Sequence, residues 1–318
     1  MANFSLFDLA TINRADRYTG LIEDVTTLPR EWDTIAAVPR DGTWYEIAKR
    51  VTYPTAQFRK PNAGVGTSKS VYKKELKEML FIDTILNVDE AIWDADDSSV
   101  GTIWMNEAEG AMKAAAILIG QQTYYGQSAD ANGFVGLRSQ LSYVVKGGAT
   151  TNSTSAYLLW EDTKQGIRYD VGKNGSFDIS APMRQQVTDG SSNPYFAYVG
   201  NLKGWIGLFV GSNLSAFAIT GITTTVTSPG TNGITDAQAQ QLYANIPEAR
   251  RNKLRWYMNR TCAAILEQNR NAVTNATGIA QYQPADAGGR PAYSPLPEML
   301  VGWPVETTDS ILSTETNS

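Results

Sequence analysis

Apolar and polar residues alternate from Trp44 to Arg59, with Tyr45, Ile47, Val51 and Tyr53 on one parity and Glu46, Arg50 and Thr52 on the other. That period of two predicts a strand with one apolar side. Lys69 to Ile82 answers it, with Tyr72, Leu76, Leu80 and Ile82 on one parity and Lys73, Glu75 and Lys77 on the other. Between them, Lys60-Pro-Asn-Ala-Gly-Val-Gly-Thr-Ser68 has the composition of a loop and is longer than a tight turn. The three pieces predict a long two-stranded hairpin. Such a ribbon cannot bury both faces within its own domain, so it is expected to lie on another subunit.

The period then lengthens. Val100, Ile103, Trp104, Ala108, Ala111, Met112, Ala115, Leu118, Ile119 and Gln122 form a helical stripe, preceded by the capping side chains Asp97, Ser98 and Ser99 and followed by Gly126. A helix over 99–125 spans about 40 Å at about 1.5 Å per residue. From Gly133 to Thr227 the texture is β-rich, in short runs: Tyr157–Trp160, Gly166–Tyr169, Tyr195–Val199, Trp205–Val210 and Ala216–Ile219. Thr235-Asp-Ala-Gln238 opens a further helix, Leu254 to Asn269 reads as strand then helix, and 281–298 is Pro-rich and irregular. Residues 1–43 hold neither period and read as an extended arm. No solenoid-type repeat is present.

Charge sharpens this picture. Between Lys49 and Lys77 the chain carries eight basic residues and one acidic one, whereas between Asp83 and Glu109 it carries eight acidic residues and no lysine or arginine. A run of one sign is ordinarily a solvated face, and acids before a helix also suit its dipole. Here two complementary runs are adjacent and borne by different elements. They predict an assembly interface.

Composition removes most chemistry. With no histidine and one cysteine, Cys262, the chain lacks the usual catalytic bases, the usual zinc ligands and any intrachain disulfide. Cys262 reads as a small buried hydrophobe. A net charge of −5 and a pI near 5.0 argue against general nucleic-acid binding. No stretch has the length of a membrane span or the form of a secretory leader. Gly64-Val-Gly-Thr-Ser-Lys69-Ser70 departs from the phosphate-loop spacing, and Asp94-Ala-Asp-Asp97 lacks the glycine and distal glutamate of a calcium loop. No catalytic, cofactor-binding or metal-ligating residue is assigned.

The order of parts (arm, hairpin, long helix, β-rich region, returning terminal strand) resembles the major capsid proteins of tailed bacteriophages, with the Hong Kong 97-type fold. Gln121-Gln-Thr-Tyr-Tyr-Gly126 followed by Asn132-Gly-Phe-Val-Gly-Leu137 is similar to that family's helix-to-domain transition. Thr154–Trp160, Gly166-Ile-Arg-Tyr, Asp189-Gly, Tyr195-Phe-Ala-Tyr and Trp205-Ile-Gly-Leu resemble a podovirus-like branch. So do Ile246-Pro247, Tyr257–Thr261, Gly302-Trp-Pro-Val and Asp309–Glu315.

The resemblance implies an α+β capsid fold with an N-terminal arm (1–43), an extended hairpin loop (44–82), a peripheral domain (83–130 with 296–318) and an axial domain (131–295). It implies hexamers and pentamers closing into an icosahedral shell around double-stranded DNA, assembled in the host cytoplasm, with no membrane involved. A portal protein is implied, with room for a decoration protein. Members that make their own scaffold carry a cleaved domain before the arm, so a chain beginning at the arm implies a separate scaffolding protein. Arg59, Lys60, Lys69, Lys73, Lys74 and Lys77 are expected to sit over a neighbour's Asp94, Asp96, Asp97, Glu107 and Glu109, with Tyr45, Tyr53 and Phe58 supplying most of the burial. Two rivals are a cellular nanocompartment shell and a β-rich hydrolase or carbohydrate binder with tryptophans in a groove. Against the second, Trp93, Trp104, Trp160, Trp205 and Trp303 all lie in apolar runs and are expected in cores.

Overall fold

A computed structural model describes residues 27, 29–95, 102–173, 177–225, 232–277 and 299–315. Helix α1 (Glu31–Thr34) leads to strand β1 (Ala37–Pro39) and then to the hairpin strands β2 (Trp44–Thr52) and β3 (Val71–Glu78). Strand β4 (Leu80–Asp89), helix α2 (Glu90–Asp94) and the long helix α3 (Thr102–Tyr125) follow. Next come β5 (Tyr143–Lys146), β6 (Ser153–Trp160), β7 (Ile167–Val171), β8 (Asp178–Ile179), β9 (Met183–Thr188), β10 (Pro194–Val210) and β11 (Ala216–Thr223). The rest is α4 (Asp236–Ala244), β12 (Leu254–Met258), α5 (Arg260–Thr277), β13 (Met299–Leu300) and β14 (Trp303–Thr307).

Two six-stranded sheets carry the body. One runs β1-β7-β10-β4, with β8 and β9 also paired to β10; the other runs β13-β14-β12-β6-β11-β5. Strand β6 explains how they stack. Its even-numbered residues Ala156, Leu158 and Trp160 enter a core with α4 and α5, while Tyr157 and Leu159 enter a second core with Ile167, Tyr169, Ile206 and Leu208 of the first sheet. A strand with a core on each side is buried at every position, which is why Ala156 to Trp160 reads as an unbroken apolar run.

The stripe on α3 packs as its spacing predicts, except that Met112 is half exposed at its edge. Ile103, Trp104, Ala108, Ala111 and Ala115 meet Leu86, Val88 and Leu202 of β4 and β10 in a third core, and Ile119 and Tyr124 continue into the second. The helix stops at Gly126, whose φ of +57° suits a residue without Cβ, and a Cβ there would lie 2.3 Å from the amide nitrogen of Gly136. Its expected cap, Asp97 to Ser99, lies outside the described residues. At α4 the sequence signal is complete: Thr235 accepts from the Gln238 amide, and the Gln238 side chain accepts from the Thr235 amide.

Three expectations are corrected. Strand 44–59 ends at Thr52, and strand 69–82 is two strands, because Met79 turns inward and is buried, so Leu80 onward joins the first sheet instead of the hairpin. The end of the arm is part of the body: β1 pairs in parallel with β7, and Ile35 lies in the second core. Glu31 is wholly buried there, accepting hydrogen bonds from Tyr124 (2.7 Å) on α3 and Ser310 (3.0 Å) near the C-terminal end. Residues 1–26 of the arm lie outside the described residues. Trp205 is 40% exposed, because its register position on β10 faces outward opposite Phe81, with ring centroids 5.1 Å apart. Trp104 and Trp160 are buried as expected, and so is Cys262.

The closing segment returns as expected, but to the second sheet. Strand β14 pairs in parallel with β12, and Glu315 bridges to Ser153 at the start of β6. The Glu315 carboxyl also accepts from Tyr125 and Ser155, and burial raises its pKa.

Candidate assembly surface

The hairpin is a two-stranded sheet on its own, pairing Trp44 with Glu78 through to Thr52 with Val71. Residues directly opposite share a face. The face toward the body therefore carries Tyr45 with Lys77, Ile47 with Glu75, and Lys49 with Lys73; the outer face carries Trp44, Glu46 with Leu76, Ala48 with Lys74, and Arg50 with Tyr72.

The inner face is held to the body by charge and aromatic contact. Tyr45 donates to Asp170, which is buried and paired with Arg168 at 2.8 Å, and the Tyr45 ring stacks on Phe209. Glu75 receives hydrogen bonds from both Lys49 and Lys77; these outweigh its burial and hold its carboxyl below the usual range. This also settles the like charges of Lys49 and Lys73, which face each other across the ladder. Lys77 is only 9% exposed, and burial pulls its ammonium below the usual pKa. Further out, the inner face and the body enclose an open cleft of about 890 Å³, with Lys49, Lys73, Lys164 and Arg250 among its lining residues.

Two expected contacts are thus spent within the chain. Lys77 is engaged with Glu75, and Tyr45 anchors the hairpin root; neither is presented to a neighbour. The parity assumed for β3 is reversed, with Glu75 and Lys77 turned inward while Tyr72 and Leu76 are exposed. The reason is that an ion-paired cluster, not an apolar one, fills the space beneath. Lys74 is exposed and paired with Glu46 across the ladder at 2.8 Å. Lys60, Lys69 and Lys73 are exposed, with no ion pair among the described residues, and Arg59 donates to the Ala63 carbonyl at 3.3 Å. From Tyr53 to Ser70 the loop has neither helix nor strand, and Tyr53 and Phe58 stand in solvent.

The acidic segment is dispersed over three elements. Asp94 is exposed at the end of α2, Glu107 is half-buried on α3, and Glu109 is exposed and pairs with Lys113 at 2.8 Å. Asp96 and Asp97 lie outside the described residues. Glu90 takes a two-pronged hydrogen bond from Arg184 (2.6 and 3.0 Å), which holds its carboxyl low. Sequence reasoning missed the outer face of Trp44, Tyr72 and Leu76. The signal was available as the parity opposite Tyr45.

Two stacked sheets, a long helix packed on β4 and β10, and a ribbon paired with neither sheet make up the described fold. The chain belongs to the major capsid protein GP7 family, whose model matches residues 35–318. It is a bacteriophage-type major capsid protein, a structural component of the virion shell. The capsid chain of bacteriophage Epsilon15 has the same fold, with a TM-score of 0.69 and 20% identity over 99% of this chain and 97% of that one. The capsid of Myoviridae phage XM1 aligns with a TM-score of 0.47 and 9% identity, covering 66% of this chain and 97% of that one. An encapsulin from Synechococcus elongatus PCC 7942 aligns with a TM-score of 0.48 and 10% identity, covering 70% and 98%. No curated protein sequence matches the chain.

Proposed function

We propose that copies of this chain form hexamers and pentamers that close into an icosahedral shell around double-stranded DNA, and that the hairpin of each copy lies on its neighbour. The observation that carries the hairpin reading is its outer face: Trp44, Tyr72 and Leu76 are exposed on a ladder whose other side is already occupied by the chain's own body. Burial of these rings supplies the energy, at about 25 cal/mol per Å² of apolar surface. The exposed cations Arg59, Lys60, Lys69, Lys73 and Lys74 select partner and register against Asp94, Asp96, Asp97, Glu107 and Glu109 of the neighbour, since exposed pairs contribute only about 0 to 1 kcal/mol each. Symmetric repetition multiplies each weak contact.

In this reading 1–43 is the arm, 44–82 the hairpin loop, 83–130 with 296–318 the peripheral domain and 131–295 the axial domain. Assembly takes place in the host cytoplasm with a separate scaffolding protein and a portal protein, and the outer surface leaves room for a decoration protein. The acidic balance lets packed DNA slide over the lumen, because adhesion to phosphate needs basic surface.

Electron microscopy and sedimentation of the protein carrying Lys73→Glu and Lys74→Glu together test the contact. The expected result is a folded subunit that no longer closes shells; normal shells at low salt would refute the charge matching. Nucleic acid inside wild-type particles separates a virion shell from a nanocompartment, which would hold a protein cargo.

A further inference from the structure

Beside α3 lies a half-open apolar crevice of about 120 Å³, lined by Trp32, Met112, Ala115, Ala116, Phe177 and Leu202. Trp32 is fixed as one wall by its indole nitrogen, which donates to the Ala116 carbonyl at 3.3 Å, and by its edge against Phe177, with ring centroids 5.5 Å apart. Met112 forms the lip and is half exposed. The lining residues are all apolar, so the crevice recognises an apolar group and penalises a polar one. Its size suits one ring, since an apolar cavity of about 150 Å³ accepts benzene.

The chain also displays a ring with nowhere to go. Phe58, on the hairpin loop, is 109% exposed, more than any other large hydrophobic side chain among the described residues. Tyr53 on the same loop is less suitable, because its hydroxyl would lose water inside an apolar crevice, and it is already covered by the Arg50 guanidinium at 5.5 Å. Val65 is too small to fill the space. Phe58 is followed directly by Arg59 and Lys60. Two exposed acids neighbour lining residues in the chain, Glu109 one turn before Met112 and Asp178 directly after Phe177. These pair within the chain with Lys113 at 2.8 Å and Lys203 at 3.8 Å. Exposed pairs of this kind are weak enough to exchange partners at little cost.

We propose that Phe58 of one copy inserts into the Trp32–Met112 crevice of a second copy, with Arg59 and Lys60 resting on Glu109 and Asp178. This rests on the reading that the hairpin lies on a neighbour, and it names the anchor and the socket.

The test uses cysteines at two exposed positions in the full-length Cys262→Ala chain. Chains with Phe58→Cys and chains with Met112→Cys are co-assembled and treated with oxidised glutathione. The expected product on a non-reducing gel is a two-chain band joining one of each kind, formed in shells and not in unassembled subunits. Shells without that band overturn the proposal, as does a chain with both cysteines that cross-links to itself before assembly. Phe58→Ala should raise the concentration needed for assembly roughly tenfold or more, from the lost burial of one ring, with Phe58→Leu recovering most of it. The Lys73→Glu/Lys74→Glu chain separates the two levels. Failure of that variant to assemble, with Phe58→Ala shells normal and no cross-link, removes the socket and leaves the hairpin contact standing. Normal shells from every variant remove both.

Discussion

Strands β3 and β6 are each eight residues long and meet opposite fates. Every residue of β6 is buried, whereas in β3 only Lys77 is. Composition already divides them, since β3 carries five charged residues and β6 none. The division matches how many of their faces their own chain covers. Strand β6 has a core on each side and neighbours along both edges; β3 has one neighbour, one half-filled face and one face in solvent. A strand of the first kind specifies the fold, and a strand of the second kind leaves a face open for the interface proposed above.

The sharpest way to break that contrast is to place the same charge in both strands. Leu158→Asp puts an unpaired carboxylate into the first core and should cost about 5 kcal/mol or more, leaving no folded protein by circular dichroism. Leu76→Asp should change subunit stability by no more than about 0.5 kcal/mol while abolishing shells under the microscope. If Leu76→Asp assembles normally, the outer face is not an interface.

A second test is proteolysis. Trypsin should cut at Arg59, Lys60 and Lys69 quickly in unassembled subunits and slowly in shells, while sites in the stacked sheets resist in both states, because 53–70 has neither helix nor strand. Equal loop cleavage in the two states would mean that the hairpin crosses no subunit boundary.

The body has a carboxylate pH signature opposite in sign to that of the hairpin, where Glu75 is held low. Burial raises the carboxyl pKa of Glu31, of Glu161 and of Glu315, in each case against hydrogen bonds that lower it. The folded protein therefore holds these protons more tightly than the unfolded chain. The stability they contribute is fully present below the ordinary value near 4.5 and is lost as pH rises through the raised folded values. The melting temperature of unassembled subunits should fall as pH rises above the ordinary carboxyl value of 4.5, and Glu31→Gln should remove part of that fall. An unchanged slope in Glu31→Gln would show that its carboxyl is ionised in the fold.

The smallest effect is expected at Cys262, buried in the first core with burial holding its thiol in the protonated form. Cys262→Ala should assemble normally and lose about 1 kcal/mol in a denaturant titration.

Where one face of an element meets one core, its pattern was legible in the sequence: the α3 stripe, the Thr235–Gln238 cap and the β-rich runs all appear where their spacing places them. Legibility failed where charge is buried in pairs. Lys77 and Glu75 look solvated in a hydropathy pattern, yet their mutual contacts and Lys49 let them turn inward. Glu31 failed for a related reason, since a carboxyl satisfied by Tyr124 and Ser310 leaves no local trace of partners so distant in the chain. In the candidate surface, the charge asymmetry was visible and the outer apolar face was not separated from the inner one. The Met112 lip sits at the edge of the stripe, four residues after buried Ala108 and three before buried Ala115, and like Met105 it is exposed.

The hairpin leaves the body at Met79, where β4 begins a ladder of ten register pairs along β10, from Leu80 opposite Ile206 to Asp89 opposite Ala197. At that root Gly207 lets the hairpin backbone cross β10, since a Cβ there would lie 2.4 Å from the Glu78 carbonyl. A neighbour tugging on the ribbon along the axis of β4 loads those ten pairs in shear, so they must yield together instead of unzipping one after another. If the hairpin is held by a neighbour as proposed, such a pull passes as tension from the ribbon into β4 and β10.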